Sequence, residues 1–322
     1  MGNYRWGILG SGAISENFAV AIQEAGATLY GVSNRTLPRA QDFAKRFNVP
    51  NCYPTIRDML DDANIDIVYI GATNDVHYKY LMAAIEKGKH VLCEKPFVIN
   101  ARQMEDVLAA AKEKNVIVQE AMTIFHMPLY KKLRELTEDG LIGKVKLVQV
   151  NFGSCKVGLS SRFFRMDAAG GALLDIGCYA SSFARVFLDQ IPNKFSAFVK
   201  FNPTGVDEQW VLGMENDLGQ MVNMSLSMCA KQPKRGVVSG EKGYIEIDNY
   251  PRADSAKVFF VADGREETIT AGKHDFALRY EVEDMEKLVA HPRETKSLEL
   301  TVEIVRMLSE IRDRWGAKFP CE

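Results

Sequence analysis

Tyr4-Arg5-Trp6-Gly7-Ile8-Leu9-Gly10-Ser11-Gly12-Ala13-Ile14-Ser15 decides the fold of this chain. The first six residues are a short apolar strand and the next six a glycine turn. Ile14, Phe18, Ala21, Ile22 and Ala25 then recur at helical spacing. Strand, glycine turn and helix in that order build the phosphate cradle of a dinucleotide fold. Gly10 permits the tight turn, and Gly12 lets a pyrophosphate approach the backbone, where free N–H groups and the helix dipole favour anions. Gly10, Ser11, Gly12, Ala13 and Ile14 are therefore candidate cofactor residues. Ser15 stands where the third glycine or alanine is usual, and is small enough to keep helix and strand close.

Working outward, residues 27–33 make a second strand, residues 38–47 a helix opened by Pro38, and residues 65–71 a third strand of Ile, Val and Tyr. Asn100-Ala101-Arg102-Gln103 is a capping pattern that opens an amphipathic helix to Lys114, followed by a strand at 116–119. Strands alternating with helices predict a parallel, doubly wound sheet. At the end of the second strand, where NAD binders place an acid against the ribose hydroxyls, the residues are Ser33-Asn34-Arg35. With no carboxylate there, Arg35 and Arg39 are suited to a 2′-phosphate. NADP is the expected cofactor, with NAD as the alternative.

Cys93-Glu94-Lys95-Pro96 ends another apolar strand. Proline blocks continuation of the strand and biases Lys95 toward extended geometry. In an open α/β sheet the carboxyl ends of the strands are where ligands sit, so Lys95 is a placed lysine. Alternation sends Glu94 and Lys95 to opposite faces, which makes Glu94 a support for the backbone near the nicotinamide rather than an ion-pair partner of Lys95.

Across 322 residues, 47% apolar and 25% charged content is ordinary for a soluble two-domain protein. Forty Lys and Arg against 42 acidic residues give a net charge of −2, with no footprint for nucleic acid or an anionic membrane. Small-molecule partners are expected. The six cysteines are far apart and contain no C-x-x-C, so neither a metal site nor a disulfide framework is expected. With no leader-like or membrane-spanning run, the expected location is the cytoplasm.

From Phe195 onward the pattern is β, with strands at 195–201, 209–215, 221–228, 236–239, 244–247 and 258–261. In the third of these, Val222, Met224, Leu226 and Met228 alternate with Met221, Asn223, Ser225 and Ser227. One face can cover a helix and the other is small and mixed. Residues 276–289 and 298–315 read as two late amphipathic helices. The expected architecture is α/β: a Rossmann domain at 1–120 and an α+β domain at 121–322, built on a large, mostly antiparallel open sheet. The late helices are expected to return to the core, with packing against the first domain as one option.

With Gly10-Ser11-Gly12, Ala72-Thr73-Asn74-Asp75-Val76-His77 and Glu94-Lys95-Pro96, the chain resembles the glucose-fructose oxidoreductase, inositol dehydrogenase and rhizopine-catabolism (Gfo/Idh/MocA) family. The second motif departs from the family's T-P-N-x-x-H at its first two places. The resemblance implies cofactor contacts near Ala72, Thr73 and Asn74. For His77, cofactor contact and packing in the first helical turn stand as equal readings. Glu120 is similar to the family's segment near the nicotinamide. The resemblance also implies a cis bond before Pro96 that aims Lys95, and subunit pairing through the open sheet into a homodimer or homotetramer.

Gly170-Gly171-Ala172-Leu173-Leu174-Asp175-Ile176-Gly177-Cys178-Tyr179 is similar to the family's second signature, within a run that is helical by spacing from Leu173 to Leu188. Asp175 and Tyr179, four apart, lie on one helix face. Hydride exchange between a nicotinamide and a carbinol needs an acid or base on the substrate oxygen. Tyr179 is the candidate; a neighbouring ammonium, which Lys95 would supply, draws a phenol below its ordinary ~10. Asp175 would bond a substrate hydroxyl or orient the other two. Phe164 and Arg165 either border the substrate or pack as a surface loop. The tyrosine resembles the branch containing dihydrodiol and xylose dehydrogenases. The expected function is an NADP-dependent oxidoreductase acting on a sugar, polyol or trans-diol. A non-catalytic dinucleotide-binding regulator and an NAD-dependent glycosidase are the alternatives.

Overall fold

The opening apolar stretch forms β1 (Arg5–Leu9), and the helical spacing after Gly12 forms α1 (Ala13–Glu24). The computed structural model describes residues 4–156, 158, 161–292 and 295–322. It continues with β2 (Thr28–Ser33), α2 (Leu37–Phe47), β3 (Asn51–Tyr53), α3 (Ile56–Asp61), β4 (Ile67–Ile70), α4 (Asn74–Glu86), β5 (His90–Glu94), α5 (Ala101–Lys114) and β6 (Val118–Ala121). Asn100 caps α5, its side-chain oxygen accepting from the Gln103 N–H at 2.9 Å, as the capping pattern requires. The six strands run parallel in the order β3-β2-β1-β4-β5-β6, the doubly wound arrangement expected from the alternation.

After β6 come α6 (Thr123–His126), α7 (Pro128–Glu138), β7 (Val145–Gly153), a π-helical turn at Leu173–Gly177 and α8 (Cys178–Phe187). Seven more strands follow: β8 (Lys194–Phe201), β9 (Asp207–Glu215), β10 (Met221–Ser227), β11 (Arg235–Gly240), β12 (Gly243–Asp248), β13 (Ser255–Phe260) and β14 (Glu266–Thr270). The chain closes with α9 (Ala277–Ala290) and α10 (Lys296–Arg314). The eight strands form one sheet in the order β14-β13-β12-β11-β7-β10-β9-β8, antiparallel except for the pair β7 and β10. Along β10 the alternation holds as far as Leu226: Val222, Met224 and Leu226 are buried, as is Met228 just beyond the strand, while Met221 is 54% exposed; Ser227 at the strand's end is buried as well. The continuous helix read over 173–188 is instead a π turn leading into α8, a distinction that five residues of hydrophobic spacing do not carry.

The chain divides into two compact units, Met1–Ala121 with Asp275–Glu299, and Met122–His274 with Leu300–Glu322. In the first, Trp6, Ile8, Phe18, Ile22, Phe43 and Tyr69 pack with Leu278, Val282 and Met285 of α9. Burial of each such aliphatic side chain contributes about 1.5–3 kcal/mol relative to exposure, which is reason enough for α9 to join this core. Trp6 also donates its indole N–H to Glu286 at 3.1 Å. The serine that replaces the third glycine is fully buried, and the neighbouring strand end makes room for it. A β-carbon at Gly71 would lie 2.2 Å from the Ser15 hydroxyl oxygen.

Candidate active site

In the first unit every residue read as a cofactor contact at a strand end falls at the carboxyl end of one sheet. Gly10 and Gly12 follow β1, Ser33, Asn34 and Arg35 end or follow β2, Ala72 to Asn74 follow β4, Glu94 and Glu120 belong to β5 and β6, and Lys95 follows β5. Gly10 has φ +102°, and a β-carbon there would lie 2.3 Å from the Gly71 carbonyl oxygen, so no other residue fits. Its N–H donates to the Ser33 carbonyl at 2.9 Å and ties the turn to β2. Above Gly12 the space is open, and α1 begins with no side-chain cap on its N–H groups. An open approach to free helix N–H groups fits a pyrophosphate. The Asn34 amide donates to the Ser11 hydroxyl at 2.6 Å, joining the two loops that a dinucleotide would span. Arg35 and Arg39 are exposed at the start of α2.

The Lys95 turn is held from several sides. Glu94, buried, accepts the Tyr69 hydroxyl at 2.7 Å on one oxygen and the Lys95 backbone N–H at 3.3 Å on the other. Glu120, also buried, accepts the Phe97 N–H at 3.0 Å. The two carboxylates therefore bracket Lys95 and Pro96, whose peptide bond is cis. Burial, and then the charge of Glu94, pushes the Tyr69 phenol well above its ordinary value, so it stays a donor. His77 is fully buried with one ring nitrogen 2.8 Å from the Pro96 carbonyl and the other 3.2 Å from the Ala72 carbonyl. Burial pushes this imidazole below its ordinary value, against the pull of the two carbonyls. His77 thus spans the loops after β4 and β5.

In the second unit Asp175 lies in the π turn, buried, its N–H donating to the Gly171 carbonyl at 3.0 Å. Tyr179 is half-buried in the first turn of α8, with its ring centroid 6.0 Å from that of Phe152. Cys178 is a buried filler whose thiol meets the Asp175 carbonyl at 3.5 Å. Of the two loop residues read as substrate contacts, Phe164 is buried and Arg165 is exposed in an ion pair with Asp167. The other aromatic of that loop, Phe163, is half-buried, flanked by the Lys156 ammonium at 4.2 Å and the Arg162 guanidinium at 4.5 Å from its ring centroid.

Three features lie beyond the reach of the sequence patterns. Tyr69 reads as a strand residue, yet its hydroxyl anchors Glu94. Lys234 sets its ammonium 4.8 Å from the centroid of Phe152, the ring that packs on Tyr179. Asp207 is buried beneath the start of the π turn, where one of its oxygens accepts both the Leu173 N–H and the Trp210 indole N–H at 2.7 Å. Burial pushes its carboxyl up to about 6, although those two bonds and the Arg312 guanidinium oppose the rise.

Residues 4–122 match the family model described as an oxidoreductase family with an NAD-binding Rossmann fold, and residues 130–246 match the GFO/IDH/MocA C-terminal domain. The chain is 33% identical over 247 residues to a trans-1,2-dihydrobenzene-1,2-diol dehydrogenase of Xenopus tropicalis, covering 76% of this chain and 74% of that one. The Homo sapiens enzyme of the same description is 30% identical over 249 residues, covering 76% and 74%. Among solved structures, a 3-ketoreductase from Actinomadura kijaniata in complex with NADP and TDP-benzene shares the fold at TM-score 0.86 and 20% identity, covering 97% of this chain and 98% of that one. A levoglucosan dehydrogenase in complex with NADH and levoglucosan does so at TM-score 0.88 and 20% identity, with 98% of each covered. The chain is an oxidoreductase that uses a nicotinamide cofactor, and it belongs to the Gfo/Idh/MocA family.

Proposed function

We propose that this protein is an NADP-dependent oxidoreductase exchanging a hydride with a carbinol or carbonyl carbon of a sugar, polyol or trans-diol. The supporting observation is the 33% identity to a dihydrodiol dehydrogenase across three quarters of both chains, with Lys95, Asp175 and Tyr179 all present. A nicotinamide dinucleotide, when bound, supplies or takes up the hydride. Gly10 to Ile14 hold its pyrophosphate at the start of α1. Arg35 and Arg39 hold a 2′-phosphate, since no carboxylate stands at the end of β2 to bond a free ribose hydroxyl.

In this reading the Tyr179 hydroxyl takes the substrate's hydroxyl proton during oxidation and returns it during reduction. The Lys95 ammonium polarises the substrate oxygen. Asp175 bonds a second substrate hydroxyl, which suits a diol or polyol. Glu94 and Glu120 fix the backbone from which Lys95 projects. The outer sheet face carries Phe198 at 82% exposure with Val211, Met221 and Tyr244 also exposed, and it serves as the surface for a homo-oligomer.

A panel of aldoses, polyols and trans-diols assayed at 340 nm with NADP(H) and NAD(H) tests the function. Turnover of at least one diol or sugar, faster with the phosphorylated cofactor, is expected. Turnover of none, with cofactor binding intact, would overturn the reading in favour of a dinucleotide-binding regulator.

A further inference from the structure

The first N–H groups of a helix have no partner inside it, and what accepts them fixes where the helix begins. In the second unit the helical path that carries Asp175 and Tyr179 begins at Ala172, and the N–H of the next residue, Leu173, donates to Asp207 at 2.7 Å. Asp207 is the first residue of β9 and is 3% exposed. The same oxygen accepts the indole N–H of Trp210 at 2.7 Å, which holds the carboxylate from the sheet side.

The approach needs a glycine opposite. Gly171 has φ +123°, and a β-carbon there would lie 2.1 Å from the other Asp207 oxygen. The Gly170 and Gly171 N–H groups donate to the Arg165 and Phe163 carbonyls, both at 3.0 Å, so the entering loop is tied down as well. From Gly171 the carbonyl accepts the Asp175 N–H at 3.0 Å. One turn of backbone therefore links the Asp207 carboxylate to Asp175, and the next turn carries Tyr179.

We propose that Asp207 is a positioning residue, which fixes the start of the helix bearing Asp175 and Tyr179 and so sets where those two groups stand against the substrate. This inference rests on the oxidoreductase reading given above. Asp207 touches no reacting atom in this account. An asparagine can put its one acceptor oxygen on both donors, whereas alanine offers none and glutamate displaces the oxygen by a methylene.

The test compares Asp207→Asn, Asp207→Glu and Asp207→Ala for kcat, KM, NADPH affinity and amide hydrogen exchange over residues 172–179. Misplacing a reacting group by about 1 Å can lower turnover on the order of 10²-fold. Asp207→Ala and Asp207→Glu should accordingly lose roughly 30- to 300-fold in kcat. NADPH affinity should stay within about two-fold, because the first unit holds the nucleotide. Asp207→Asn should keep kcat within about five-fold, since it retains the acceptor. Exchange at Leu173 to Asp175 should rise at least about ten-fold in the alanine variant and little in the asparagine one.

A folded Asp207→Ala with wild-type kcat would overturn the proposal, as would Asp207→Asn falling as far as alanine. If the alanine variant does not fold, the asparagine and glutamate pair decides, and wild-type kcat in Asp207→Glu overturns it. If the wild-type protein turns over nothing, the functional reading fails instead. Hydrogen exchange then decides on Asp207 alone, unchanged protection in the alanine or glutamate variant counting against it.

Discussion

Gly236→Ala should lift the helix that carries Tyr179. The ring of Phe183, one turn along α8 from Tyr179, points its tip at Gly236, where a β-carbon would sit 2.1 Å from the ring's Cζ. Phe183 is fully buried, with the rings of Tyr250, Phe187 and Tyr130 at 5.0, 5.4 and 6.2 Å between centroids, so it cannot swing aside. Restoring a carbon–carbon separation of ~3.5 Å requires a shift of about 1.4 Å. Overpacking of this kind costs about 1–3 kcal/mol. Because Tyr179 moves with α8, kcat should fall roughly 10- to 100-fold. The assay combines urea unfolding, turnover with the best substrate of the panel, and NADPH titration, in which affinity should be unchanged. Phe183→Leu added to Gly236→Ala should recover most of both losses. Wild-type stability and kcat in the single variant would refute the reasoning.

Two further outcomes can be checked directly. Arg35→Ala should weaken NADPH by about 10- to 100-fold, the worth of one charge-assisted bond of roughly 1.5–3 kcal/mol, and leave NADH nearly unchanged; fluorescence titration showing equal losses would count against the assignment. The folded-state pKa of His77 is depressed by burial. Its neutral form thus contributes stability that is complete above the unfolded value near ~6.5 and is lost as pH falls below it. His77→Gln, which takes up no proton, should lose less stability than wild type between about pH 7 and 5.5 in parallel thermal melts, and identical slopes would refute the assignment.

What the sequence made legible follows from how local the signals are. The strand, glycine turn and helix at the start of the chain, the Asn100 cap and the alternation along β10 depend on neighbours within a few residues, and each appears in the structure. β7 runs through the middle of the second sheet, but its alternation of Val148, Val150 and Phe152 with Gln149 and Asn151 is broken at Leu147, which sets two apolar residues side by side. The edge strand β14 reads Glu-Glu-Thr-Ile-Thr, with one buried residue, and its pairing with β13 carries it. β3 is three residues long and exists through its ladder with β2. Within the site, the glycine cradle and the Glu94-Lys95-Pro96 turn were readable as motifs. The 34-residue separation of Asp207 from Leu173 and the 25-residue separation of Tyr69 from Glu94 were not, since no periodicity links such pairs.

The central proposal is that Lys95 acts on the substrate oxygen while the glycine turn and Arg35 hold the cofactor. The measurement that tests it most directly is the single-turnover hydride-transfer rate of Lys95→Met, set beside its NADPH affinity. Loss of an acid–base or polarising group lowers such rates by roughly 10²–10⁴-fold, and the account predicts a loss in that range with NADPH affinity held within a few-fold. A near-normal rate in that variant would contradict it.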